Sequence, residues 1–155
     1  MSATARRNSV AGIPQARLRG AEAQIAAAGQ RATPARSRVL AVLTDSERPV
    51  SHHEVEQSLA RDGRVDRVTV YRVLEWLTSV GLAHKIAGDD RIWRYKSHGG
   101  HGDAVHAHFK CSRCGTVFCL DDMSTAFALN LPPGYRSEQV ELTIRGRCAG
   151  CSGSA

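Results

Sequence analysis

The chain has 155 residues, with 21 Lys and Arg against 15 Asp and Glu, a net charge of +6 and 42% apolar residues. That length holds one ordinary domain or two small ones, each marginal unless something staples it. No run approaches the ~20 apolar residues of a membrane span and no stretch has the layout of a signal peptide, so a soluble cytoplasmic protein with no membrane partner is expected.

Charge and cysteine are both unevenly placed. Residues 1–96 carry sixteen Lys and Arg against ten Asp and Glu, while residues 97–155 carry five against five. An anionic partner should therefore meet the first part. All five cysteines lie in the last part, at 111, 114, 119, 148 and 151. An odd count without an export signal points to metal or redox chemistry rather than to a disulfide framework.

In chain order, residues 1–17 read as a disordered basic arm, with Arg6, Arg7 and Arg17 and no acid. The alanine-rich stretch 18–29 is helix-prone, with Gly29 as its stop. A second helix follows Thr33 as cap and Pro34 as first residue, with Val39, Leu40, Val42 and Leu43 as its apolar stripe. A third has Ser51 in the cap position and Glu54 three residues on, the capping-box spacing, and stops at Gly63. The fourth, roughly 66–81, places Val70, Val73, Leu74 and Leu77 on one face and leaves Arg67, Thr69, Tyr71, Arg72 and Glu75 elsewhere.

LAHKI and RIWRYK then read as two strands around the turn AGDD. Three helices and this hairpin describe a winged helix-turn-helix, residues 18–96, whose last helix enters a major groove. The glycine-rich SHGGHGD, 97–103, reads as a hinge. Residues 104–151 turn to strands, VHAHFKC, GTVFCL and EQVELTIRG, with a short helix around MSTAFAL and a turn at LPPGY. The tail from 150 onward is expected to be loose. The fold class is thus α+β, a winged-helix domain followed by an α/β domain.

Cys111-x-x-Cys114 and Cys148-x-x-Cys151 each have the spacing that lets two thiolates grip one zinc, and together they supply four soft ligands for a closed structural site. Lys110, Arg113, Arg145 and Arg147 are expected to offset its negative charge. If the first knuckle is a hairpin turn with Cys111 facing Cys114, His108 stands opposite Val117 and His106 opposite Cys119. His106, His108 and Cys119 then form a separate three-point cluster. Such a cluster could be a catalytic zinc with an open position, or a sensing site completed from elsewhere. No glutamate accompanies the His-x-His as a general base. His52-His53-Glu54 has the H-x-E spacing of the zinc deaminases, but no P-C-x-x-C follows it. A zinc-dependent hydrolase is therefore the weaker reading, and no catalytic residue is assigned.

QRATPAR, DRVTVYRVLEWLTSVGLAHKI, HAHFKCSRCG and the closing CAGC, in that order, resemble the ferric uptake regulator (Fur) superfamily of bacterial metal-responsive repressors. The likeness runs from about residue 18 to 151. It implies an N-terminal winged helix, a C-terminal dimerisation domain, a structural zinc on the four cysteines and a regulatory metal near the hinge. The family's regulatory ligands fall on His106, His108 and Cys119, the last usually an acid. The acid that often follows the Arg-Tyr of the second wing strand is Lys96 here, which counts against iron or manganese.

His84, in GLAHKI, is similar to a ligand of the zinc uptake regulators. It implies a regulatory zinc on His84, His106, His108 and Cys119, a donor set suited to zinc. Tyr71 and Arg72 match the family's DNA-reading TVYR, with Arg67 and Thr69 near the helix start and Arg31 and Arg36 as backbone or minor-groove contacts. The resemblance thus implies a zinc-responsive repressor of metal uptake and homeostasis genes, bound as a homodimer to double-stranded DNA at a pseudo-palindromic operator. An iron or peroxide sensor of the same superfamily is the alternative.

Overall fold

A computed structural model describes residues 12–60, 65–98, 105–120, 130–137 and 140–153, with the backbone alone at 105 and 106. The expected arm before residue 12, the helix stop at Gly63, hinge residues His101 and Asp103, the helix around 123–129 and the side chain of His106 lie outside the described residues.

Helix α1 (Gln15–Ala27) starts directly after Pro14, so Gln15 to Arg17, read from sequence as arm, are helical. Helix α2 (Pro34–Asp45) begins as expected, with the Thr33 side chain accepting the N–H of Arg36 at 3.4 Å. Strand β1 (Val50–Ser51) is too short to leave a periodic trace in the sequence. It leads into α3 (His52–Ala60), whose capping box is reciprocal: Ser51 N–H donates to Glu54 Oε2 at 2.7 Å and Glu54 N–H to Ser51 Oγ at 3.3 Å.

Helix α4 (Arg67–Ser79) is capped by Asp66, which accepts the N–H of Thr69 at 3.0 Å. Its Val70, Leu74 and Leu77 are fully buried against Ile25 of α1, Val39, Leu40 and Leu43 of α2 and Val55 and Leu59 of α3. Each such side chain contributes about 1.5–3 kcal/mol by leaving water.

Strands β2 (Ala83–Ala87) and β3 (Trp93–Ser97) form the wing, an antiparallel hairpin to which β1 adds on the β3 side. Ser97, read from sequence as hinge, ends β3, and the N–H of His98 donates to the Leu82 carbonyl at 3.0 Å. Tyr95 is buried in the core and donates its hydroxyl to Glu75 Oε1 at 2.9 Å, while Lys85 Nζ reaches the same oxygen at 2.7 Å. One carboxylate on α4 therefore ties the wing to that helix.

The second sheet has the order β5-β4-β6: β4 (Val105–Cys111) pairs antiparallel with β5 (Val117–Cys119) and parallel with β6 (Val140–Gly146). Parallel pairing needs a long connection between the strands, and the chain from Cys111 at the end of β4 to Val140 at the start of β6 is long enough. Helix α5 (Ala149–Ser152) occupies part of what read as loose tail.

The knuckle register differs from the expected one. His108 stands opposite Cys119 and Lys110 opposite Val117. Cys111 bonds across to Thr116 rather than facing Cys114. The loop therefore has four residues, closed by Gly115 in the left-handed region at φ 71°, where a glycine avoids the Cβ clash. The slip is of two residues, so every side chain keeps its face.

Candidate metal centre

Parallel pairing of β4 with β6 sets Gly146 beside Cys111 and so delivers the second cysteine pair to the first. A Cβ on Gly146 would sit 3.1 Å from the Phe109 ring, so the close approach favours glycine. Ser112 N–H donates to the Gly146 carbonyl at 2.8 Å, locking the knuckle onto β6.

The sulfurs of Cys111, Cys114, Cys148 and Cys151 all lie within 4.8 Å of one another. Cys114 and Cys148 Sγ are 3.8 Å apart, the edge of a tetrahedron with Zn–S bonds of about 2.3 Å. Backbone N–H groups of Cys114 and Cys148 lower the Cys111 thiol to about 6. The Thr116 hydroxyl, 3.2 Å from Cys114 Sγ, lowers that thiol too. Cys151, beside the Cys148 sulfur and shielded from water, is pushed up to about 12. Four crowded sulfurs cannot all carry charge unaided, and a dication removes that penalty. The donor set fits a structural zinc.

Of the four basic residues expected around this cage, Arg113 donates to the Cys151 carbonyl at 3.4 Å. Lys110 and Arg145 do not serve it. They alternate with Cys111 and Gly146 along their strands, so they take the opposite face. There Lys110 Nζ reaches the Ala87 carbonyl and Arg145 pairs with Asp89 at 3.1 Å, both in the wing.

The same wing-facing side holds the second cluster. His84 of β2, His108 of β4 and Cys119 of β5 bring their ligand atoms within 4.8 Å of one another. Cys119 Sγ is 3.8 Å from His84 Nε2, near the roughly 3.6 Å edge that tetrahedral Zn–S and Zn–N bonds define. The structure thus brings together three of the four residues named from sequence, and the His106 side chain lies outside the described residues. His98, just past β3 in the segment read from sequence as hinge, lies against the cluster, with its ring centroid 4.9 Å from that of His84. Lys96 is the register partner of His84, and its amine bonds the Ser46 carbonyl.

The exposed side of α4 presents Arg67, Val68, Tyr71 and Arg72. Val68 and Tyr71 are 58% and 52% exposed, unusual for large apolar groups on one helix face. Val68 was missed because a valine in a run of core residues carries no separate signal. Thr69 is half-buried, and its hydroxyl and N–H both go to Asp66, so it serves the helix start. Arg36 lies 3.7 Å over the Trp76 ring and donates to the Arg31 carbonyl at 2.8 Å, which docks α2 on α4. Arg31 is exposed.

Residues 27–130 match the profile of the ferric uptake regulator family. The chain is 31% identical over 91 residues to the transcriptional regulator FurA of Mycobacterium tuberculosis (strain ATCC 25618 / H37Rv), a match covering 57% of this chain and 60% of that relative. With the ferric uptake regulation protein of Bacillus subtilis (strain 168) it shares 26% identity over 137 residues, covering 84% of this chain and 91% of that one. The crystal structure of holo XcZur is similar, with a TM-score of 0.64 at 25% identity over 91% of this chain and 100% of that one. With its profile match, its curated relatives named as regulators rather than enzymes, and its cysteine cage and wing-facing cluster in place, the chain belongs to the ferric uptake regulator family.

Proposed function

We propose that the protein is a zinc-responsive transcriptional repressor that binds operator DNA as a metal-loaded homodimer and controls metal uptake and homeostasis genes. The observation that carries this reading is the cluster of His84, His108 and Cys119, which draws donors from the wing and from the second sheet into one site. Two imidazoles and a thiolate suit zinc better than the harder metals, and the similar holo XcZur is by its name a Zur. His98 and His106 are the candidates for the remaining position.

In this reading, residues 18–96, with α1 extending back to Gln15, read DNA. The hinge, read from sequence as residues 97–103, follows Ser97, which ends β3, and residues 104–151 pair two copies. His84 on one side of the hinge and His108 and Cys119 on the other, holding one ion, fix the angle between the two parts. In a twofold dimer that angle sets the spacing of two α4 helices, which must match the half-sites of a pseudo-palindromic duplex. Without the ion the competent angle is one of many, and affinity falls with its population. Arg67, Val68, Tyr71 and Arg72 meet the duplex, with Arg31 beside them. Such a protein works in the cytoplasm, and no helix among the described residues is long and apolar enough to cross a membrane.

The dimer reading rests on the other face of the second sheet. There Phe118, Phe109 and Ile144 stand in register across all three strands, and Phe118 and Ile144 are 41% and 38% exposed.

The test is titration of protein with the cage filled, using Zn²⁺ and separately Fe²⁺, while following binding to its own promoter duplex. Tight binding with Zn²⁺ alone supports the reading. Response to Fe²⁺ or to peroxide instead would assign it to the iron or peroxide sensors of the family, and turnover of an ester or amide would revive a hydrolase.

A further inference from the structure

His52-His53-Glu54 matches no enzyme signature and has no part in either cysteine or histidine cluster. The structure nevertheless gives His52 a defined place. It is the first residue of α3, set by the Ser51–Glu54 capping box, and Arg48 grips the far oxygen of Glu54. Its ring meets that of Tyr71, on α4, edge-on: centroids 6.4 Å apart, planes at 79°. Glu56 Oε2 stands 3.7 Å from His52 Nε2 and 3.9 Å from His53 Nδ1. Tyr71 is more than half exposed, and an exposed tyrosine on a helix otherwise samples several rotamers.

We infer that His52 is a positioning residue for DNA reading: its ring edge buttresses the Tyr71 ring and holds it at the angle from which α4 presents it to base edges. This rests on the DNA-binding reading above. An edge-to-face contact of this kind is specific in geometry, and a side chain ordered before binding has less freedom to lose on contact. The base feature that suits a tyrosine ring in the major groove is the thymine methyl. His52 therefore acts on thymine discrimination rather than on metal binding, because His84, His108 and Cys119 lie on the wing and the second sheet, outside α3 and α4.

The experiment uses the full chain with both metal sites loaded and two duplexes. One is the tightest binder that the wild type selects from a random-core library. The other is the same duplex with deoxyuridine for thymine, which removes only the methyl. Wild type is expected to prefer the thymine duplex. In His52→Ala that preference shrinks by about three- to tenfold, in His52→Phe, which keeps a ring, it stays within about twofold of wild type, and zinc content is unchanged in both. In a Tyr71→Ala background, His52→Ala has no further effect. Should the alanine variant fail to fold, His52→Leu makes the same comparison. An unchanged preference in His52→Ala, equal weakening on both duplexes, or a wild type blind to the methyl would each overturn the inference. A loaded wild type that selects no duplex would overturn the DNA-binding reading, and this inference with it.

Discussion

Cys119 Sγ stands 3.8 Å from His84 Nε2 although thirty-five positions separate them in the chain. One belongs to the second sheet and the other to the wing, so their meeting defines how the two parts sit together. Losing a direct ligand should exceed the roughly 10- to 100-fold cost of losing an outer-shell partner. Cys119→Ser is therefore expected to weaken zinc binding at this site by about a hundredfold or more while the cage zinc stays, as competition with a chromophoric chelator would measure. Imidazole and thiol must shed protons to bind, so the apparent affinity should fall as pH is lowered.

The cage predicts a different failure. Cys151→Ser should remove one zinc per chain by elemental analysis and unfold the second sheet, since a structural site of this type supplies folding free energy of about 10–16 kcal/mol in small zinc-dependent peptides. The helical unit, whose core contains no cysteine, should keep its far-UV helix signal. Loss of the helix signal in step with the zinc would count against independent folding.

Glu75 joins the wing to α4, and the ammonium of Lys85 with the hydroxyl of Tyr95 holds its carboxyl below the usual carboxylate range. Burial, and then Glu75 itself, push the Tyr95 hydroxyl well above its ordinary value. Because the folded-state pKa of Glu75 is lowered, its contribution is full above the unfolded-state value near 4.5 and is lost as pH falls through the folded value. Glu75→Gln should cost about 1 kcal/mol at neutral pH, the carboxylate being part-exposed, and should flatten the acid limb of a denaturation series as pH falls below the unfolded-state value.

Ile144→Asp tests the apolar row on the second sheet. A carboxylate pressed against a partner's apolar face costs roughly several kcal/mol if it stays charged, and twofold symmetry counts it twice. Sedimentation should show monomer at concentrations where wild type is dimeric, with the cage zinc retained. An unchanged dimer would place the pairing surface elsewhere.

Much of this was legible because local chemistry settles it. Thr33, Ser51 with Glu54, and the 3.6-residue period of Val70, Val73, Leu74 and Leu77 need only their neighbours, and each acts as read. The paired Cys-x-x-Cys motifs are nearly as local. The knuckle register was missed by two residues because a four-residue loop closed by Gly115 and a tight two-residue turn leave the same alternation on the strands. Lys110 and Arg145 were misplaced for want of the strand parity that decides which face they take. His98 and the Arg36–Trp76 contact depend on how separate elements dock, which no spacing along the chain encodes.

The parallel run of β6 beside β4 also governs the order of assembly. Cys111 and Cys114 cannot meet Cys148 and Cys151 until the intervening chain has crossed over and found its strand. A crossover of that span closes more slowly than neighbouring helices dock. If the cage takes zinc as proposed, capture of the ion comes last in maturation: under scarcity, newly made chains would stall with finished helices and an unfinished second sheet, and the supply of competent molecules would itself be rationed by the ion.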